Sequence, residues 1–170
     1  MAEPPQHSHR PTTLHMLCGK IAAGKSTLAA TLAKEHRALL VSEDFWTSRL
    51  FGPELKEVAD YVRLSRRLRE AMGPHLAEIL RHGVSIVLDF PANTRANRAW
   101  MKGIADAAGA DHLLHFLDLP DEVCRARLRA RNAAGEHEFA ATDDQFDLIT
   151  SYFEPPAEDE EFSIIVHRTE

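Results

Sequence analysis

The sequence predicts an α/β layered fold on a mostly parallel sheet. Apolar runs rich in β-branched residues alternate with segments of helical periodicity. A glycine-rich loop joins the first such run to the first helix, the setting of a strand–loop–helix unit. Gly83 and Gly109 stand where helices must stop before the next strand begins.

The elements follow in order. Residues 1–11, from Met1 to Pro11, have no apolar core; they read as a disordered lead-in and not as a secretory signal. Leu14-His15-Met16-Leu17-Cys18 is a short buried strand, and the helix over 25–36 places Leu28, Ala29 and Leu32 on one face. A second strand over 38–42 runs into the turn Glu43-Asp44-Phe45-Trp46. Helices over 54–72 and 74–82 precede a third strand over 84–89, which ends in Asp89. A helix over 94–109, a strand over 112–118 and a helix over 120–132 come next. Residues 132–142 read as a flexible loop, 143–153 as a helix, 154–161 as an acidic, solvated, proline-containing connector, and 162–167 as the last strand. One domain over 12–170 accounts for the chain, with no internal repeat.

Composition narrows the class. With 27% charged and 44% apolar residues the 170-residue chain is an ordinary globular protein. No apolar run reaches the ~18 residues a membrane span requires. The net charge of −6 argues against a general nucleic-acid binder. Cys18 and Cys124 form neither a disulfide framework nor a zinc pattern and read as small buried residues, with a reducing cytoplasm the natural compartment.

The chemistry starts at Gly19-Lys20-Ile21-Ala22-Ala23-Gly24-Lys25-Ser26, followed by Thr27. This run satisfies G-x-x-x-x-G-K-[ST], a phosphate-binding loop. Gly19 and Gly24 let successive N–H groups converge as an anion nest, and the helix behind them adds its positive end. The spacing assigns Lys25 to the β- and γ-phosphates of a nucleoside triphosphate and Ser26 to Mg²⁺, with Thr27 extending the hydroxyl pair. In a parallel sheet ligands sit beyond the carboxyl ends of the strands. Asp44 therefore lies on the loop's rim, either as the base that takes a proton from an attacking hydroxyl or as a helix cap, with Glu43 the alternative occupant. Asp89 either holds Mg²⁺ with Ser26 or orients substrate. Arg95 and Arg98, on the helix that Asn93 and Thr94 start, read either as solvated or with one of them facing the rim.

Two arginine sets remain. On the helix leading into 132–142, Arg127 and Arg131 share one face and Arg125 and Arg129 another. Arg127 and Arg131 either reach a transferring phosphoryl group from a lid over about 127–142 or pair with nearby acids in solvent. Tyr61 to Arg69 is basic and amphipathic, either a solvated helix or a contact for an anionic acceptor. Of the ten histidines, His15, His112 and His115 fall on strands as packing residues, and only His137 lies in the lid region.

Gly19 to Thr27, the Glu43–Trp46 turn, the strand ending Leu88-Asp89-Phe90, the helix ending Arg127 to Asn132 and the Phe153-Glu154-Pro155-Pro156 connector together resemble the small P-loop kinase-like proteins, also described as AAA-family ATP-binding proteins. Members with known chemistry include polynucleotide 5′-kinase domains, chloramphenicol phosphotransferase, gluconate kinases and zeta-type toxins. The resemblance spans about 12–168 and implies a three-layer P-loop NTPase fold with sheet order 2-3-1-4-5 and a small lid. It implies ATP as donor, Mg²⁺ as cofactor and a hydroxyl acceptor, with Asp44 catalytic, Arg127 and Arg131 in the lid, and the loop near 154–161 bordering the adenine. Two features depart from the polynucleotide kinases: no basic residue closely follows Asp44, and Ile21-Ala22-Ala23 lacks an extra glycine. The expectation is an ATP- and Mg²⁺-dependent phosphotransferase acting on a small molecule. The alternatives are a nucleotide-dependent switch acting on a protein partner and a nucleic-acid 5′-hydroxyl kinase.

Overall fold

The structure, a computed structural model, describes residues 11–135 and 141–168. Five strands form one sheet: β1 (Thr13–Gly19), β2 (Leu39–Ser42), β3 (Ile86–Pro91), β4 (Asp111–Leu117) and β5 (Ile164–His167). Their order is β2-β3-β1-β4-β5 and every pair is parallel. The helices are α1 (Lys25–His36), α2 (Glu43–Phe51), α3 (Val58–Arg81), α4 (Arg95–Ala108), α5 (Asp121–Ala134) and α6 (Asp143–Ser151).

The alternation of side chains along each strand sorts the core into two layers. Leu14, Met16 and Cys18 of β1, Ile86, Leu88 and Phe90 of β3, and Leu114 of β4 face α3 and α4, packing with Leu68, Leu76, Leu80, Met101 and Ile104. Leu17, Val87 and Leu117 face the other way and meet Ala29 and Leu32 of α1, Cys124 and Leu128 of α5, and Phe146 of α6. Cys18 and Cys124 are free and buried, one in each layer.

Local chemistry fixes most boundaries. Ser42, Thr94 and Thr142 accept hydrogen bonds from the third residue beyond them and start α2, α4 and α6. Asp60 reaches back to the Glu57 amide at 3.2 Å and opens α3. Two expectations are corrected. The Glu43–Trp46 turn is the first turn of α2, capped by Ser42 and anchored by buried Glu43 and Thr47. The helices expected over 54–72 and 74–82 are one helix, α3, with Pro74 inside it. The helix continues through Gly73-Pro74 because Leu64, Leu68, Leu76 and Leu80 form one buried stripe along it, and burial of that stripe outweighs one missing backbone hydrogen bond.

Register sets the functional rim. Ser42 lies opposite Asp89, which brings the start of α2 beside the end of β3. Between β1 and β3 the register jumps from Met16–Leu88 to Leu17–Pro91, so Asp89 and Phe90 are released from the ladder with β1. The lead-in over residues 1–10 and the centre of the expected lid, with His137, lie outside the described residues.

Candidate active site

The glycine loop is built by close approach and one left-handed turn. A Cβ on Gly19 would stand 3.0 Å from the Leu117 Cβ, so β1 can lie against the end of β4 only with glycine there. Gly24, at φ +100°, turns the chain into α1, and Ala22 is also left-handed at φ 60°. The Ala23 amide donates to the Lys20 carbonyl at 3.1 Å and closes the loop on itself. Lys25 folds across it, its Nζ donating to the Gly19 carbonyl at 2.6 Å and the Lys20 carbonyl at 2.9 Å. Burial pushes the Lys25 ammonium below its usual value, while Asp89 and the more weakly acting Asp44 pull it back up. Lys20 turns away, to Asp121 at the start of α5 and the Leu119 carbonyl.

The carboxylates converge on this loop. Asp89 lies within electrostatic reach of the Ser26 hydroxyl; burial raises its carboxyl most, the Ser26 hydroxyl opposes that, and Asp44 raises it further. Asp44 is exposed in the first turn of α2, within electrostatic reach of Lys25, Asp89 and Glu43. Its neighbour Glu43 points the opposite way, into the protein. Its Oε2 accepts from the Tyr61 hydroxyl at 2.8 Å and its Oε1 from Arg69 Nε at 2.8 Å. Arg69 also donates to Asn97 Oδ1 at 2.6 Å, and Asn97 Nδ2 donates to the Pro91 carbonyl at 3.1 Å. Burial raises the Glu43 carboxyl, an effect that Arg69 and Tyr61 oppose. Glu43 thus locks α2 onto α3 and α4, and Asp44 is the acid left facing the rim. A groove of about 600 Å³, lined by Ala59, Val62, Arg63, Arg66, Arg69 and Asn97, shares Arg69 and Asn97 with this network.

The arginines of α5 divide by face. Arg125 pairs with Asp147 and lies 4.4 Å over the Phe146 ring, and Arg129 pairs with Asp143. Both therefore tie α5 to α6. Arg127 reaches the loop, donating to the Ala23 carbonyl at 3.1 Å. Arg131 lies one turn further along the same face, and its buried Nε has no hydrogen-bond partner among the described residues.

Three further groups escape a reading of motifs. Asn93 Oδ1 accepts the Gly19 amide at 3.0 Å. Arg98, read as solvated, is fully buried: it pairs with Glu160 at 2.7 Å and donates to the carbonyls of Ala92 and Glu154 at 3.0 and 2.8 Å. Arg95 pairs with Asp159 at 2.9 Å. The acidic connector is therefore pinned to α4 rather than solvated. The spacing of Glu154, Asp159 and Glu160 against Arg95 and Arg98 is the only sequence signal for this contact, and it crosses some 60 residues. On α3, Arg69 is also absorbed into the interior, Arg63 and Arg66 pair with Asp60 and Glu70, and Arg67 lies over the Phe51 ring.

Comparison with known proteins bears on the family and the fold. Residues 14–156 match the AAA domain family. No curated protein matches the chain significantly. Among solved structures, a protein of Chloroflexus aurantiacus J-10-fl provisionally named a kinase superposes with a TM-score of 0.76 at 20% identity, over 94% of this chain and 89% of its own. The APS kinase of Mycobacterium tuberculosis, solved with AMPPNP and APS, gives 0.60 at 21% identity over 92% and 88%. A gluconokinase of Sinorhizobium meliloti 1021 gives 0.59 at 14% identity over 92% and 82%. These three share the fold, and the match over residues 14–156 shows that the chain belongs to the AAA domain family, with a P-loop kinase-like architecture.

Proposed function

We propose that the protein is an ATP- and Mg²⁺-dependent phosphotransferase that moves the γ-phosphate of ATP to a hydroxyl group of a small molecule. The observation that carries this reading is the placement of Asp44 on the rim, within electrostatic reach of both Lys25 and the Ser26–Asp89 pair. A loop that only bound and slowly hydrolysed a nucleotide would not require a second, unpaired carboxylate there.

The residues present fit both ligands. Gly19 to Thr27 supply a cradle of backbone amides with Lys25 beside it, suited to the β- and γ-phosphates. Ser26 and Asp89 form a hydroxyl–carboxylate pair suited to Mg²⁺, which completes such sites with phosphate oxygens and water. When bound, the metal neutralises charge on the phosphate oxygens.

The chain's own residues supply the rest. Lys25 holds the β- and γ-phosphates against the loop. Asp44 accepts the proton of the acceptor hydroxyl and turns its oxygen toward the γ-phosphate. Arg127, already at the loop, and Arg131 behind it offset charge on the phosphoryl group in transfer and, as part of a closing lid, keep water out. The groove beside Arg69 and Asn97 receives the acceptor. Of the α3 arginines only Arg69 is held in the interior, by Glu43, while Arg63, Arg66 and Arg67 stay exposed; the small-acceptor reading therefore rests on the groove and not on an absence of positive charge.

The test is transfer of labelled γ-phosphate from Mg·ATP to a panel of sugars, nucleosides, amino-sugar antibiotics, chloramphenicol and 5′-hydroxyl RNA and DNA. A labelled small-molecule product supports the proposal. Label on an oligonucleotide end, or tight ATP binding with no product, contradicts it.

A further inference from the structure

We infer that Asn93 is a positioning residue for the phosphate-binding loop, and that through it nucleotide binding is coupled to the connector over 154–161. The inference rests on the nucleotide site proposed above. Gly19 is clasped on each side: its amide donates to Asn93 Oδ1 at 3.0 Å, its carbonyl accepts Lys25 Nζ at 2.6 Å, and Leu117 and Ala23 fill the space where a Cβ would stand. The point against which Lys25 rests is therefore set not only by the β1–β4 ladder and the loop but also by a side chain from the β3–α4 turn.

Asn93 also faces the connector. Its backbone carbonyl accepts the Glu154 amide at 2.9 Å. Glu154 is held in turn by the start of α4, its carboxylate accepting the Arg95 amide at 2.6 Å and its carbonyl accepting Arg98 at 2.8 Å. Arg98 is fixed by the buried Glu160, whose Oε1 also accepts the Ala157 amide at 3.0 Å. One asparagine thus joins two hydrogen-bonded systems, the phosphate loop by its side chain and the connector by its backbone. Whatever steadies Gly19 steadies Glu154, and the coupling is reciprocal.

The test titrates the protein with Mg²⁺ and the non-hydrolysable analogue AMPPNP and follows amide hydrogen exchange at Glu154. Wild-type protein binds the analogue, and binding slows exchange at Glu154. Asn93→Ala, which keeps the backbone carbonyl that Glu154 uses, weakens binding about five- to tenfold, the worth of one net hydrogen bond, and abolishes the ligand-dependent slowing. Ile104→Val, a core change remote from the loop, serves as the stability control and keeps both properties. Glu160→Gln leaves Asn93 in place but loosens Arg98; it weakens binding about fivefold and provides a second reading should Asn93→Ala not fold. Affinity within twofold of wild type in both variants, or Glu154 exchange indifferent to the nucleotide in wild type, overturns the inference alone. Wild-type protein that does not bind the analogue overturns the proposed function as well.

Discussion

At the scale of single residues, the site separates side chains that share a sequence neighbourhood. Glu43 and Asp44 are adjacent, yet one is buried between Tyr61 and Arg69 and the other stands on the rim. Removing one member of a buried ion pair strands the other charge. Arg69→Met is therefore expected to lower stability by about 3–5 kcal/mol in urea unfolding, and Glu43→Leu combined with Arg69→Met to recover most of that loss. A single variant as stable as wild type would show that the pair contributes nothing. Lys25→Met is expected to weaken ATP binding about 10- to 100-fold by titration calorimetry, the worth of a charge-assisted hydrogen bond to phosphate; unchanged affinity would remove Lys25 from the site. The loop was legible because its function demands particular residues at fixed spacing. Asn93 and Arg98 were not, because their partners, Gly19 and Glu160, lie 74 and 62 positions away and no spacing rule links them.

At the scale of elements, every expected strand is present, since the strands of this parallel sheet, the half-exposed edges β2 and β5 included, read as short apolar runs. The differences between sequence and structure fall on helices, where local signals compete. Ser42 followed by two acids is a helix start, but the carboxylates drew the reading toward a turn at the strand end. Gly73-Pro74 reads as a stop, but the apolar stripe of α3 carries the helix through it. The proline leaves one helical carbonyl without its partner, so Pro74→Ala is expected to raise stability by about 1 kcal/mol or more, measured as an increase in Tm. A fall in Tm would mean that the proline ring's packing against α4 matters more than the missing bond. On α5 the notional lid face was half legible: periodicity paired Arg127 with Arg131 and Arg125 with Arg129, but only the packing of α6 shows that the second pair is tied down by Asp147 and Asp143.

At the scale of the whole molecule, an open parallel sheet gathers the ends of β1, β2 and β3 on one rim, where the proposed site lies. The opposite half of the sheet carries a different load. His15, His115 and His167 form a ladder across β1, β4 and β5 with nitrogens 3.1 Å apart, and the His36 ring of α1 lies tilted against His15, centroids 4.6 Å apart. Neutral His15 and His115 satisfy such a ladder, one nitrogen of each shared contact donating and the other accepting. Burial, reinforced by the neighbouring histidines, lowers both His15 and His115 to about 4 from 6.5. Because the unfolded chain binds these protons first, stability is complete above pH 6.5 and falls as the pH drops toward 4, by up to about 1.4 kcal/mol per pH unit for each ring. Denaturant midpoints measured across that window should decline with acid, and His115→Gln should flatten the slope; a midpoint independent of pH would contradict the ladder's neutral state. The claim on which the functional account turns is that Asp44 acts in the chemistry and not in binding. The most direct measurement is the transfer rate and the ATP dissociation constant of Asp44→Asn beside wild type, with the acceptor that the panel identifies. The account predicts turnover lower by about 10²–10⁴-fold with ATP affinity within a few-fold of wild type, and equal turnover in the two proteins would contradict it.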